Sequence, residues 1–112
     1  MSRQHEALSD LVSCAGGLPL DGMIEGQSFQ LQVKNNPKGT NTAGRCIVKI
    51  KSLQYVITVE TVNVEFTEGF TIVSDDILQL AAGNYAIDAN YYDKITNLSY
   101  DRYLLNFTVY RP

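Results

Sequence analysis

Few side chains in this chain are able to do chemistry, and their spacing decides which chemistry each would suit. His5 is the sole histidine and sits in the polar opening "MSRQHEALSDLVSC". A Ser–His or Cys–His pair would need it to fold back onto a nucleophile, so a solvent-facing histidine is the simpler reading. Asp75 and Asp76 are adjacent, whereas glycosidase chemistry needs two acids facing each other across a cleft. Adjacent acids suit the cap of a helical turn instead. "DANYYD" sets Asp88, Asn90 and Asp93 at a spacing that faintly matches a calcium loop. The EF-hand pattern wants glycine at its sixth position and glutamate at its twelfth, where this chain has Asp93 and Ser99. Cys14 and Cys46 with one terminal histidine make no zinc set, and are expected as two reduced thiols. The expectation is a non-enzymatic protein with no catalytic residue, no metal and no cofactor.

Tyr91, Tyr92, Tyr100, Tyr103 and Tyr110 cluster around one loop. A row of exposed rings would stack on sugars, which is the carbohydrate-binding reading. Alternation along a strand instead places Tyr91 and Tyr103 in a core and the others at its rim. Rim tyrosines and an amphipathic N-terminal segment suit protein–protein contact, and strand edges offer main-chain pairing to neighbours.

The elements that must hold these groups are short. A chain of 112 residues is one domain's worth. With 45% hydrophobic and 19% charged residues it can build a core and does not read as disordered. A net charge of -3 argues against nucleic acid, although Lys34, Lys38, Arg45, Lys49 and Lys51 gather around one loop and the strand after it. No stretch approaches the ~18 apolar residues of a membrane span. The opening carries Arg3, Glu6 and Asp10 with no apolar run of the secretory kind. Synthesis in the cytoplasm without membrane contact is the expectation. The sequons at Asn97 and Asn106 then carry no glycan.

Residues 3–14 read as a short helix or arm with Ala7, Leu8, Leu11 and Val12 on one face, ended by Gly16-Gly17. From residue 27 the period is two. "QSFQLQVK" turns Phe29, Leu31 and Val33 to one side, "CIVKIKS" turns Cys46, Val48 and Ile50, and "NNPKGTNTAGR" between them is a loop. "LQYVITVETVNVEF" changes parity near Glu60-Thr61, which signals a bulge, a turn or a change of sheet, and two strands broken there are expected. "GFTIVS" is a strand with Phe70 and Ile72 inward. "SDDILQLAAG" reads as a helical turn capped by Ser74, Asp75 or Asp76, followed by Leu80 plugging the core and Gly83 at positive φ. "NYAIDANYY" buries Tyr85, Ile87, Ala89 and Tyr91 and shows Asp88, Asn90 and Tyr92 to solvent. "YDRYLLNFTVYR" buries Tyr103, Leu105, Phe107 and Val109, with its other face partly covered. The sum is an all-β antiparallel β-sandwich or jelly-roll-like barrel of seven or eight strands, as residues 1–22 (arm or short helix) and 23–112 (sandwich domain).

The segment "FTIVSDDILQLAAGNYAIDANYYD...YLLNFTVYRP", with its SxxxLxLxxGxY turn, is similar to small immunoglobulin-like or jelly-roll modules of tailed-phage virions. "DGMIEGQSFQLQV" resembles their first strand. In length, the chain is most like the capsid decoration (stapling or cement) proteins of epsilon-fifteen-like short-tailed phages. That resemblance implies a homodimer on the outer capsid surface of the virion, bound to the major capsid protein and reinforcing the head. The alternatives are an immunoglobulin-like binding module of a phage tail, baseplate or neck, or a carbohydrate-binding β-sandwich. The partner-contact residues expected are Leu8, Leu11 and Val12 in the N-terminal segment, Lys38 and Arg45 beside the basic loop, and Tyr92.

Overall fold

The computed structural model describes residues 11–34, 43–66 and 71–112. His5, Leu8, Lys38, Phe70, the "NNPKGTNT" loop and most of the expected helix lie outside them. Eight strands follow in order: β1 (Val12–Cys14), β2 (Met23–Ile24), β3 (Leu31–Lys34), β4 (Gly44–Ser52), β5 (Ile57–Phe66), β6 (Thr71–Val73), β7 (Gly83–Asp93) and β8 (Ser99–Tyr110). They form a three-stranded sheet, β1-β3-β6, and a five-stranded sheet, β2-β8-β7-β4-β5. All neighbours are antiparallel except β2, which runs parallel to the end of β8.

The order is that of an immunoglobulin-like Greek-key sandwich. Lettered in sequence as A, A′, B, C, C′, E, F and G, the strands give ABE against A′GFCC′, with no D strand among the described residues. Of the two expected architectures this is the sandwich and not the jelly roll. The approach to β7 adds a tyrosine corner: the Tyr85 hydroxyl donates to the carbonyl of Ala81, four residues upstream, at 2.6 Å. Leu80 is buried and Gly83 has φ 155, as the "LAAGNY" spacing anticipated.

Alternation builds the core. Leu31 and Val33 of β3 face Cys46, Val48 and Ile50 of β4, Val62, Val64 and Phe66 of β5, Tyr85, Ile87, Ala89 and Tyr91 of β7, and Tyr103, Phe107 and Val109 of β8. Tyr91, Phe66 and Leu31 are the largest fully buried side chains. Phe66 stacks on Tyr91 at 6.4 Å between centroids and Tyr85 on Phe107 at 5.6 Å. The Tyr91 hydroxyl crosses from one sheet to the other, lying 3.0 Å from the carbonyl of Lys34 and 3.4 Å from that of Leu11.

Five expectations need correcting. Val12–Cys14 is a strand and not the end of a helix, because its backbone is taken up by β3 in the register Val12↔Val33 and Cys14↔Leu31. Residues 11–22 therefore belong to the same sandwich rather than to a separate arm: Leu11, Val12, Cys14 and Leu20 are core residues. "SDDIL" forms no helical turn, because Leu78 exchanges two main-chain hydrogen bonds with Phe29, at 3.0 and 2.8 Å, and is held extended. "LQYVITVETVNVEF" does not divide at Glu60-Thr61. Leu53–Val56 is the turn after β4, and β5 runs unbroken through an irregularity at Val59, where the pairing jumps from Ile50↔Glu60 to Lys51↔Thr58. Finally, the second face of β8 is open, with Leu104 and Tyr110 exposed.

Candidate functional site

Outward-facing residues of the five-stranded sheet line up in rows fixed by its register. Arg45 lies across from Glu65 and Tyr92; Ile47 from Asn63 and Asn90, and Asn90 from Arg102; Lys49 from Thr61 and Asp88, and Asp88 from Leu104. The centre of this face is Asp88. Read from sequence as a solvent-facing strand residue, it is only 5% exposed. Arg102 lies over it and donates from Nε and Nη2 to its two oxygens, each at 3.0 Å, and Lys51 Nζ adds a third contact at 3.0 Å. Asn90 Nδ2 donates to the same carboxylate at 3.2 Å. The Arg102 hydrogen bonds, with help from Lys51 and against the effect of burial, pull the Asp88 carboxyl down to about 2. The same pairing pushes the Arg102 guanidinium up. A carboxylate so held is a structural anion, unsuited to proton transfer.

Beside it, Arg45 of β4 lies over the Tyr92 ring of β7, 4.8 Å from its centroid, and its Nη2 donates to Asn97 Oδ1 at 2.7 Å. Asn97 is placed by the β7–β8 turn. Asp93 accepts the Ile95 N–H on its side chain at 2.8 Å and the Asn97 N–H on its carbonyl at 2.8 Å, and Asn97 sits at φ 59. That is the local chemistry that lets Asp and Asn serve turns. A pocket of about 190 Å³ opens among Arg45, Phe66, Lys94 and Asn97.

At the other end of the sheet the β4–β5 turn projects Leu53, Tyr55, Val56, Ile57 and Val59, all exposed. No charged residue occurs from Leu53 to Val59. Val56 adopts φ 55, a left-handed conformation that a β-branched side chain strongly disfavours. A groove of about 360 Å³ runs between this hairpin, through Tyr55, Ile57 and Val59, and the corner residues Leu80, Ala81 and Tyr85.

The remaining reactive groups are built into the fold. Cys14 and Cys46 are free thiols and buried. Burial pushes Cys14 up to about 11 and Cys46 up to about 12, the latter against a contact with the Tyr91 hydroxyl. Burial likewise pushes the Tyr91 phenol far up. Thiols held this far above neutrality are poor nucleophiles. Among the described residues no group of three or more histidine, cysteine or carboxylate side chains gathers as a metal would require.

Of the residues expected to touch a partner, Arg45 and Tyr92 are brought together as one stacked pair on the outer sheet face. Leu11 and Val12 are 5% and 1% exposed and serve this chain's own core. Leu8 and Lys38 lie outside the described residues. Among the tyrosines Tyr91 and Tyr103 are buried and Tyr100 half-buried against Tyr91, while Tyr92 lies beneath Arg45 and Tyr110 is exposed. Sequence reasoning missed Arg102, Lys51 and the burial of Asp88. Alternation marks Lys51 and Asp88 as outward, yet their meeting with Arg102 depends on β4, β7 and β8 being neighbours, which no local pattern encodes. No protein-family model matches the chain, and no curated protein does.

Proposed function

We propose that this protein is a non-enzymatic structural module that works by adhering to other protein surfaces. The observation that carries the reading is the uncharged, exposed run Leu53–Val59 at the β4–β5 hairpin. An apolar tip keeping a strained Val56 costs stability in a solitary domain and is useful in an associating one. The engagement of Asp88, Cys14, Cys46 and Tyr91 in holding the fold supports the same reading, since the groups with chemical potential are spent on structure.

The more specific form of the proposal is a capsid decoration protein: a homodimer bound to the major capsid protein on the outer surface of a phage virion. It rests on the resemblance of the "SxxxLxLxxGxY" segment to tailed-phage modules, and is supported by the sandwich that segment forms. Many weak contacts per particle suffice, because multivalency adds avidity without new chemistry. The purified protein is expected to run as a dimer in sizing and to co-sediment with capsids that lack it. A monomer that never co-sediments overturns this form. A second reading, an immunoglobulin-like binding module of a tail, baseplate or neck, is favoured by the ABE/A′GFCC′ order and the tyrosine corner. Co-sedimentation with tails and not with heads selects it.

A further inference from the structure

The outer face of the five-stranded sheet has a charge unlike that of the chain as a whole. Its cations are Arg45, Lys49, Lys51 and Arg102, against the carboxylates Glu65 and Asp88, and Asp88 is buried beneath its partners. Asp21 borders the face at its far end, beside Asn84, Asn106 and Thr108, while Glu25, Asp75 and Asp76 lie around β2 and between β6 and β7. Among the described residues the cations around Arg45, Lys49, Lys51 and Arg102 therefore outnumber the carboxylates on this part of the face, in a chain of net charge -3.

Two of those cations are already immobilised. Arg102 is fixed by the two-pronged contact with Asp88, at 3.0 Å on each side, and Arg45 by the Tyr92 ring and Asn97. Asp88 takes two of the five N–H groups of Arg102, leaving both Nη1 protons and one on Nη2 outside that contact. A guanidinium held this way loses little side-chain entropy when a further carboxylate arrives. Apolar groups are interleaved with the cations. Leu104, 60% exposed, stands in the same row as Lys49, and half-buried Ile47 in the row of Arg102.

We propose that this face docks a protein surface on which carboxylates flank an apolar side chain. Charge complementarity specifies the acid, and Leu104 with Ile47 specifies the apolar centre, the composition of a protein contact rather than of a polyanion track. Face-to-face self-association through this sheet is disfavoured, since it would set Lys49 and Arg102 of two copies against each other. The inference rests on the adhesive reading above and adds a contact surface distinct from the β4–β5 hairpin.

The test uses the full chain, labelled with nitrogen-15 and titrated with a synthetic peptide of alternating glutamate and leucine. Shift changes are expected at Lys49, Tyr92, Arg102 and Leu104, weakening as salt is raised. Lys49→Glu is expected to weaken binding about tenfold and Leu104→Ser about fivefold, with Lys34→Glu on the other sheet as an inert control. All three positions, Lys34, Lys49 and Leu104, are exposed, and unchanged melting temperatures verify the folds. No shifts at these residues, or shifts only at the β4–β5 hairpin, overturn the proposal. Equal binding of a heparin oligosaccharide or duplex DNA, insensitive to Leu104→Ser, also overturns it in favour of a general anion site. Co-sedimentation with capsids separates the two proposals. Wild type and Lys49→Glu sedimenting alike sinks the surface and spares the adhesive role, whereas failure of wild type alongside a positive peptide titration sinks the decoration role and spares the surface.

Discussion

Asp88 shows how a residue that looks exposed in sequence becomes a structural anion. Alternation places it outward, opposite Lys49 and Leu104. Arg102 and Lys51 then reach diagonally across the sheet and close over it. With its carboxyl lowered from 3.8 to about 2, the folded state binds this proton less readily than the unfolded chain. The sign follows from that: the stabilisation is full above about pH 4 and is lost as pH falls through about 2, with a magnitude on the order of 2 kcal/mol. Asp88→Asn is expected to lower stability at neutral pH by about 1–3 kcal/mol and to flatten the acid limb between pH 4 and 2. Urea unfolding of both proteins across that range measures it; parallel acid limbs would show that the carboxylate is not the titrating group.

Among the elements, those governed by period-two alternation were legible in sequence and those governed by pairing were not. β3, β4, β7 and β8 put the expected residues in the core, save Leu105, which is half-buried against it, because a strand with one buried face must alternate whatever its neighbour is. Gly83 was legible for a local reason too: its φ of 155 is a backbone conformation that residues carrying a Cβ rarely adopt. The errors lie where a distant strand decides. Val12–Cys14 has a helix-compatible pattern until β3 claims its backbone, and Leu78 is extended only because Phe29 lies opposite. The parity change in β5 was real, but it marks an irregularity at Val59 beyond a turn at Leu53–Val56. That turn needs a left-handed residue and has a valine. Val56→Gly is therefore expected to raise stability by about 1 kcal/mol through relief of the backbone, read as a higher denaturant midpoint at unchanged slope. A lower midpoint would mean that the exposed valine side chain makes a contact worth more than the strain.

At the scale of the whole molecule, the sheets are joined by a continuous core and by the Tyr91 hydroxyl, which spans from β7 to the backbone around β1 and β3. Cys14 belongs to the smaller sheet and Cys46 to the larger. Both thiols are therefore reporters of the same event, the opening of the sandwich. Native protein at pH 8 is expected to resist a thiol-reactive disulfide reagent, and both cysteines to react together once urea separates the sheets. Rapid labelling of either one in native buffer would show that its sheet opens independently. The basic outer face and the apolar hairpin were the part of the candidate site that the sequence hid. Arg45 and Tyr92 stood out singly, while the surface they share with Arg102 exists only after β4, β7 and β8 are laid side by side.

The place of β8 carries one further consequence. It lies between β7 and β2 and takes its last bonds from residues far upstream, with the Thr108 N–H donating to Asp21 at 2.8 Å and the Glu25 N–H to the Tyr110 carbonyl at 2.8 Å. Without residues 99–110, β7 would be left with an open flank and Met23–Ile24 without a strand to pair with. A polypeptide ending at residue 98 should therefore remain incomplete until a free peptide of sequence 99–110 is added, and should then recover a native spectrum by trans-complementation. The seam for such a split is already marked by the exposed turn through Ile95 and Leu98.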